Sequence, residues 1–200
     1  MDTTALIALL VFVIPMCFTP GPNNMLCAAH GAQHGFRATL PLTLGMLTGW
    51  SVLGVIVGVG ITAIESNQAV FNALTYVGAA YIAYLGFSIG RADPKPIDEV
   101  DDTDRLGFRT GLLLQFVNGK AWIHFLVLMA TWGSLFGSGL FGKVALVVVN
   151  AFGGYPAVLA WAGFGVALRR MFTSEQNAKR LNVALGLSLI GVALWILLPH

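Results

Sequence analysis

Of the chain's 200 residues, 56% are hydrophobic and only 10% charged, with a mean hydropathy of +0.78 and a formal net charge of +2. A soluble domain carries about 25% charged residues, so a water-solvated globule is excluded, and so weak a basic balance gives no reason to expect a nucleic-acid partner. The apolar residues fall in blocks that match the roughly 20 residues a helix needs to cross a bilayer. Segments 3–36, 38–64, 66–90, 144–168 and 181–200 contain no Asp, Glu, Lys or Arg, and segment 110–142 contains only Lys120. This pattern predicts an all-α integral membrane protein of six transmembrane helices, near 4–29, 38–63, 68–90, 109–131, 143–168 and 180–198.

The first span begins Met1-Asp2-Thr3-Thr4, without the basic residues of a signal peptide, so it is expected to be retained. Cys17 and Cys27 lie ten residues apart on it, about 15 Å along a helix axis. That separation is too great for a disulfide within one helix and suits small packing residues. Between them runs Thr19-Pro20-Gly21-Pro22-Asn23-Asn24. Two prolines around a glycine break a helical ladder at a cost of several kcal/mol. Backbone groups freed at membrane depth are tolerated only against protein or a watery cavity, which makes Pro20, Gly21, Pro22, Asn23 and Asn24 candidates for a binding site.

The second span carries Gly45 with Gly49 and Gly54 with Gly58, pairs on opposite faces, which implies close packing on both sides. After the third span, with its own Gly86 and Gly90, a linker at 93–107 carries Pro94, Pro96 and an acidic run over 98–104. The run lacks the turn glycine and closing glutamate of a calcium loop, and reads as a solvated tether.

The fourth span is interrupted by Gln115-Phe116-Val117-Asn118-Gly119-Lys120. Lys120 lies eleven residues past Arg109, about 16 Å into the span and so near the midplane. A lysine at that depth is expensive and usually functional, and no span holds an Asp or Glu to pair with it. A ligand carboxylate would serve; so would carbonyls exposed at the first-span break, or loss of the proton. His124, one turn further on, is either a second polar lining residue or a packed, hydrogen-bonded histidine. Lys120 and His124 are the candidates for proton coupling.

Basic residues set the orientation. Arg37, Arg91, Lys95, Arg105, Arg109, Arg169, Arg170, Lys179 and Arg180 fall on one side, and Lys143 alone on the other. Nine against one places both termini on the periplasmic or extracellular side. At an offset of 105 residues, Gly49, Gly58, Gly60, Asn72, Ala73, Ala79 and Gly86 meet identical residues at 154, 163, 165, 177, 178, 184 and 191, and Trp50 meets Tyr155. Three helices per half is an odd number, so this predicts an inverted repeat of the kind found in secondary transporters, with halves 1–92 and 108–200.

The motifs at 19–24, His-Gly-Phe-Arg at 34–37, Gly-Ala-Ala-Tyr-Ile at 78–82 and Leu-Gln-Phe-Val-Asn leading to Lys120 together resemble the LysE/RhtB family of amino-acid exporters, over the whole chain. The resemblance implies a secondary transporter in the bacterial inner membrane. It would export small amino acids or derivatives, of the cysteine and O-acetylserine kind or another small neutral one such as threonine or homoserine. Transport would be driven by the proton gradient or by exchange, with the bilayer and the substrate as partners, no cofactor, and a homo-oligomer compatible with it. It puts functional weight on Pro20, Gly21, Pro22, Asn23, Asn24, Asn118 and Lys120. Many members have Pro between that Asn and Lys; here Gly119 permits a bend without forcing one. Two other classes stand against this reading: a membrane thiol-disulfide carrier using the cysteines, and a membrane assembly subunit without transport. An ATP-driven pump lacks its phosphate-binding loop.

Overall fold

Every apolar block becomes helix, and the two that carry breaks become two helices each. A computed structural model describes residues 3–65, 68–92, 105–172 and 174–197, with backbone alone at 61–65, 68–75, 77, 78, 81, 82, 192, 195 and 196. Its helices are α1 (Thr3–Phe18), α2 (Pro22–His34), α3 (Phe36–Glu65), α4 (Gln68–Arg91), α5 (Phe108–Val117), α6 (Gly119–Trp132), α7 (Leu140–Met171) and α8 (Glu175–Ile196), with no strand among the described residues. The linker placed at 93–107 lies outside the description except for 105–107, and its acidic run lies outside it entirely.

The expected span 4–29 is α1 and α2, meeting at 47°, and 109–131 is α5 and α6, meeting at 65°. The second break needs no proline. It falls on Asn118, whose backbone is extended (φ −91°, ψ 98°) and whose Oδ1 accepts from the Lys120 amide at 3.1 Å, capping α6. Together with Phe36–Gly60 of α3 and the whole of α7, these bent pairs make four segments long and apolar enough to cross a membrane. The remaining helices, α4 and α8, have 24 and 22 residues, or about 36 and 33 Å.

Each bent pair packs on the long helix of the other half: α1 and α2 on α7, α5 and α6 on α3, while α3 also meets α7 and α4 meets α8. Glycines set these approaches. Gly45 and Gly49 lie against the Phe108 and Leu112 backbone of α5, whereas Gly54 and Gly58 lie under Phe125 and Met129 of α6. The two faces expected of this helix therefore serve the two arms of one bent pair. Gly35, at φ 84° and ψ 168°, turns the chain from α2 into α3 in a region open almost only to glycine. Nearby, His30 accepts the Leu106 amide on Nε2 at 3.0 Å, tying the start of the C-terminal half to α2.

The apolar core is divided. One cluster joins α2, α4 and α8 with Leu42, Met46, Leu114 and Ala162; the other joins α1 and α6 with Leu53, Val57, Leu146 and Val147. Large apolar side chains such as Val11, Phe141, Phe152 and Leu187 point outward, as suits a lipid solvent. Between the two clusters, where both bent pairs meet α3 and α7, lies a pocket.

Candidate functional site

Breaking α1 from α2 frees carbonyls, and side chains answer those of Cys17, Phe18 and Thr19. Asn24 Nδ2 donates to the Cys17 carbonyl at 2.7 Å and the Thr19 carbonyl at 2.9 Å. Trp161 donates its indole N–H to the Phe18 carbonyl at 3.2 Å. At the other break, Trp122 donates its indole N–H to the Phe116 carbonyl at 2.8 Å. This accounting is what non-helical backbone within a membrane requires.

The two breaks are joined by an amide network. Asn23 Nδ2 donates to Gln115 Oε1 at 2.8 Å, and Asn23 Oδ1 accepts from Asn118 Nδ2 at 3.1 Å and Gln115 Nε2 at 3.3 Å. Lys120 crosses the same gap. Its ammonium donates to the Thr19 hydroxyl at 2.9 Å and the Thr19 carbonyl at 3.2 Å. Both partners are neutral oxygens, so the charge is solvated without being cancelled. The lysine stem lies over Gly21, where a Cβ would stand 3.0 Å from Cδ and 3.1 Å from Nζ. Glycine is used here for close approach, since its own φ of −169° is ordinary extended backbone.

The pocket is lined by residues of α1, α2, α3, α6 and α7 and by the Gly21 and Asn118 breaks, and it is partly open to the outside. Its wall includes Gly21, Pro22, Asn23, Asn24, Asn118 and Lys120 of the expected residues. Pro20 is exposed and off the wall, and Gln115 is fully buried with its amide bonded to Asn23. His124 is also off the wall: it is fully buried, with Nε2 2.8 Å from Asn150 Oδ1.

Sequence reasoning missed the rest of the wall, which includes Met16, Cys17, Met46, Leu47, Trp50, Tyr155 and Val158. One signal was available, because Trp50 and Tyr155 are partners at the 105-residue offset. Thr19 was quoted within a motif but given no task, and it is the residue that holds Lys120. Cys17 and Cys27 sit on different helices and are both free, with Cys27 Sγ 3.6 Å from Met46 Sδ.

Comparison with known proteins gives this geometry a family. A model of the LysE type translocators matches residues 14–199. Cysteine/O-acetylserine efflux proteins of Escherichia coli (strain K12) and Shigella sonnei (strain Ss046) are each 28% identical to the chain over 197 residues, spanning 98% of it and 99% of their own length. No solved structure matches. Translocators move a solute without transforming it, and the chain, with its apolar helices broken around one pocket, belongs to the LysE family of membrane transporters and is not an enzyme.

Proposed function

We propose that this transporter exports small neutral amino acids or their derivatives, of the cysteine and O-acetylserine kind or similar, from the bacterial cytoplasm across the inner membrane. One observation carries the reading: among the described residues the pocket wall holds a single full charge, the Lys120 ammonium, whose bonding partners are neutral oxygens. A substrate carboxylate supplies the missing anion, displacing Thr19 or joining it. Asn23, Asn24 and Asn118 flank that position with amide groups. Among the described residues the wall has no carboxylate to receive a cationic side chain, and its apolar residues suit a small neutral one. The relatives named for cysteine and O-acetylserine efflux support that substrate class.

The transport cycle proposed for this site uses six spans as two inverted halves, 1–92 and 108–200, joined by the cytoplasmic linker 93–107. Support comes from the reciprocal packing of bent pairs on α3 and α7, and from Trp50 and Tyr155, which both border the pocket. The thiol-disulfide alternative fares poorly, because Cys27 is buried beside Met46 while Cys17 borders the pocket. A non-transporting subunit is set aside by membership of a transporter family.

Counterflow in proteoliposomes with a panel of amino acids tests the substrate class. Cysteine, O-acetylserine or another small neutral amino acid should drive uptake of label. Lysine and arginine should not. Uptake driven only by cationic amino acids would refute the reading.

A further inference from the structure

One turn beyond Lys120 on α6, and one turn from Gly154 of the pocket wall on α7, a second group of polar side chains is buried. His124 and Asn150 are both fully enclosed and bonded to each other at 2.8 Å. The imidazole is walled by Phe12, stacked at 5.3 Å, by Trp50 at 4.9 Å and by Phe125, edge-on at 5.3 Å. Three buried polar atoms here lack a hydrogen-bond partner: His124 Nδ1, Asn150 Nδ2 and Trp50 Nε1. A single such atom is costly and uncommon. Three around one histidine mark a place prepared for something polar.

The chemistry of that ligand follows from the inventory of unmet groups. With Asn150 Oδ1 facing a protonated Nε2, the Asn150 amide and the Trp50 indole are free donors and His124 Nδ1 is a free acceptor. Turning the Asn150 amide over and moving the imidazole proton makes Nδ1 a donor and Oδ1 the acceptor. Both assignments leave donors for a carboxylate and an acceptor for an ammonium, with no full charge. That set complements an amino-acid zwitterion.

Its position also fits a path. Trp50 belongs to both the pocket wall and this cluster, and Ala151, next to Asn150, borders the pocket. Further along α3, the Phe125 ring lies on Gly54 with Val147 beside it. Beyond that, Gly58, Met129, Ser134, Ser138 and Lys143 border a second cavity. We propose that His124, Asn150 and Trp50 form a second, uncharged station for the amino-acid head group, entered after Lys120 releases it and left by displacement of Phe125. The proposal rests on the export reading above.

His124→Phe combined with Asn150→Leu replaces both partners with apolar groups of similar shape, an exchange that costs little when both change together. Binding of labelled substrate to the purified double variant should stay within about threefold of wild type, while export from proteoliposomes slows by about tenfold or more. Trp50→Phe, which loses only the indole N–H and keeps an aromatic ring, should slow export in the same direction by a smaller factor. Export at the wild-type rate by the double variant overturns the proposal, and so does loss of binding in parallel with export, which would make the cluster part of the first pocket. If the double variant does not fold, Trp50→Phe and Asn150→Ser decide, and normal export by both overturns it. Wild-type protein that neither binds nor exports amino acids fails the export reading itself and takes this proposal with it, a result distinct from any of the variant outcomes.

Discussion

Asn24 illustrates how a residue singled out for ligand contact can have a prior structural task. Its amide spans the Cys17 and Thr19 carbonyls at the end of α1, so Asn24 stabilises the break. Asn24→Ala takes this donor from the Cys17 carbonyl and leaves the Thr19 carbonyl with the Lys120 ammonium, at about 1–3 kcal/mol. The melting temperature of the purified protein in detergent should fall by several degrees, at about 2–4 °C per kcal/mol. An unchanged melting temperature would mean that the carbonyls are satisfied in another way. The neighbouring Asn23 has a different place, bridging Gln115 and Asn118 across the two halves. The sequence marked both asparagines by their position after two prolines. It could not separate their tasks, because that depends on which helix end each side chain reaches.

At the scale of elements, helix contacts depend on glycines whose neighbours leave no room. A Cβ on Gly165 of α7 would collide with the Ala28 carbonyl of α2, and one on Gly31 of α2 would collide with the Ala162 carbonyl of α7. Gly165→Val should therefore force α2 and α7 apart and destabilise the protein by about 1–3 kcal/mol. Gly163→Ala, two residues away with nothing within 4 Å of its Cβ, should be neutral or slightly stabilising. Thermal unfolding of the two variants side by side checks this, and equal stability would count against the α2–α7 contact. The helical blocks were legible in the sequence because charges separate them, but their ends were not, since α7 runs through Lys143, Arg169 and Arg170 and α8 through Glu175, Lys179 and Arg180. The break at 19–24 was legible from Pro20 and Pro22, and the break at Asn118 only as a weakness, since Gly119 leaves the angle open. The pocket contributions of Met46, Leu47 and Val158 were not legible. They come from long helices without local signals, and only tertiary packing assigns their faces.

For the whole molecule, each bent pair packs on a long helix, α1 and α2 on α7 and α5 and α6 on α3, and the pocket proposed as the substrate site lies between two apolar cores. Nine of the ten Lys and Arg outside the Lys120 position fall on the side proposed as cytoplasmic. A reporter that fluoresces only in the cytoplasm, fused after His200, should remain dark, and bright fluorescence would reverse the proposed topology. The central claim is that the Lys120 ammonium holds the substrate carboxylate between the two helix breaks. Its most direct test is substrate binding by Lys120→Met, which keeps the apolar stem and removes the charge. A charge-assisted hydrogen bond contributes about 1.5–3 kcal/mol, at 1.4 kcal/mol per tenfold. The free amino acid should therefore bind roughly ten- to hundredfold more weakly to the variant, with expression unchanged or improved. The corresponding amide, without a carboxylate, should bind wild type poorly and lose little more. Equal affinity of wild type and Lys120→Met for the free amino acid would contradict the claim and leave Lys120 as a structural tie to Thr19.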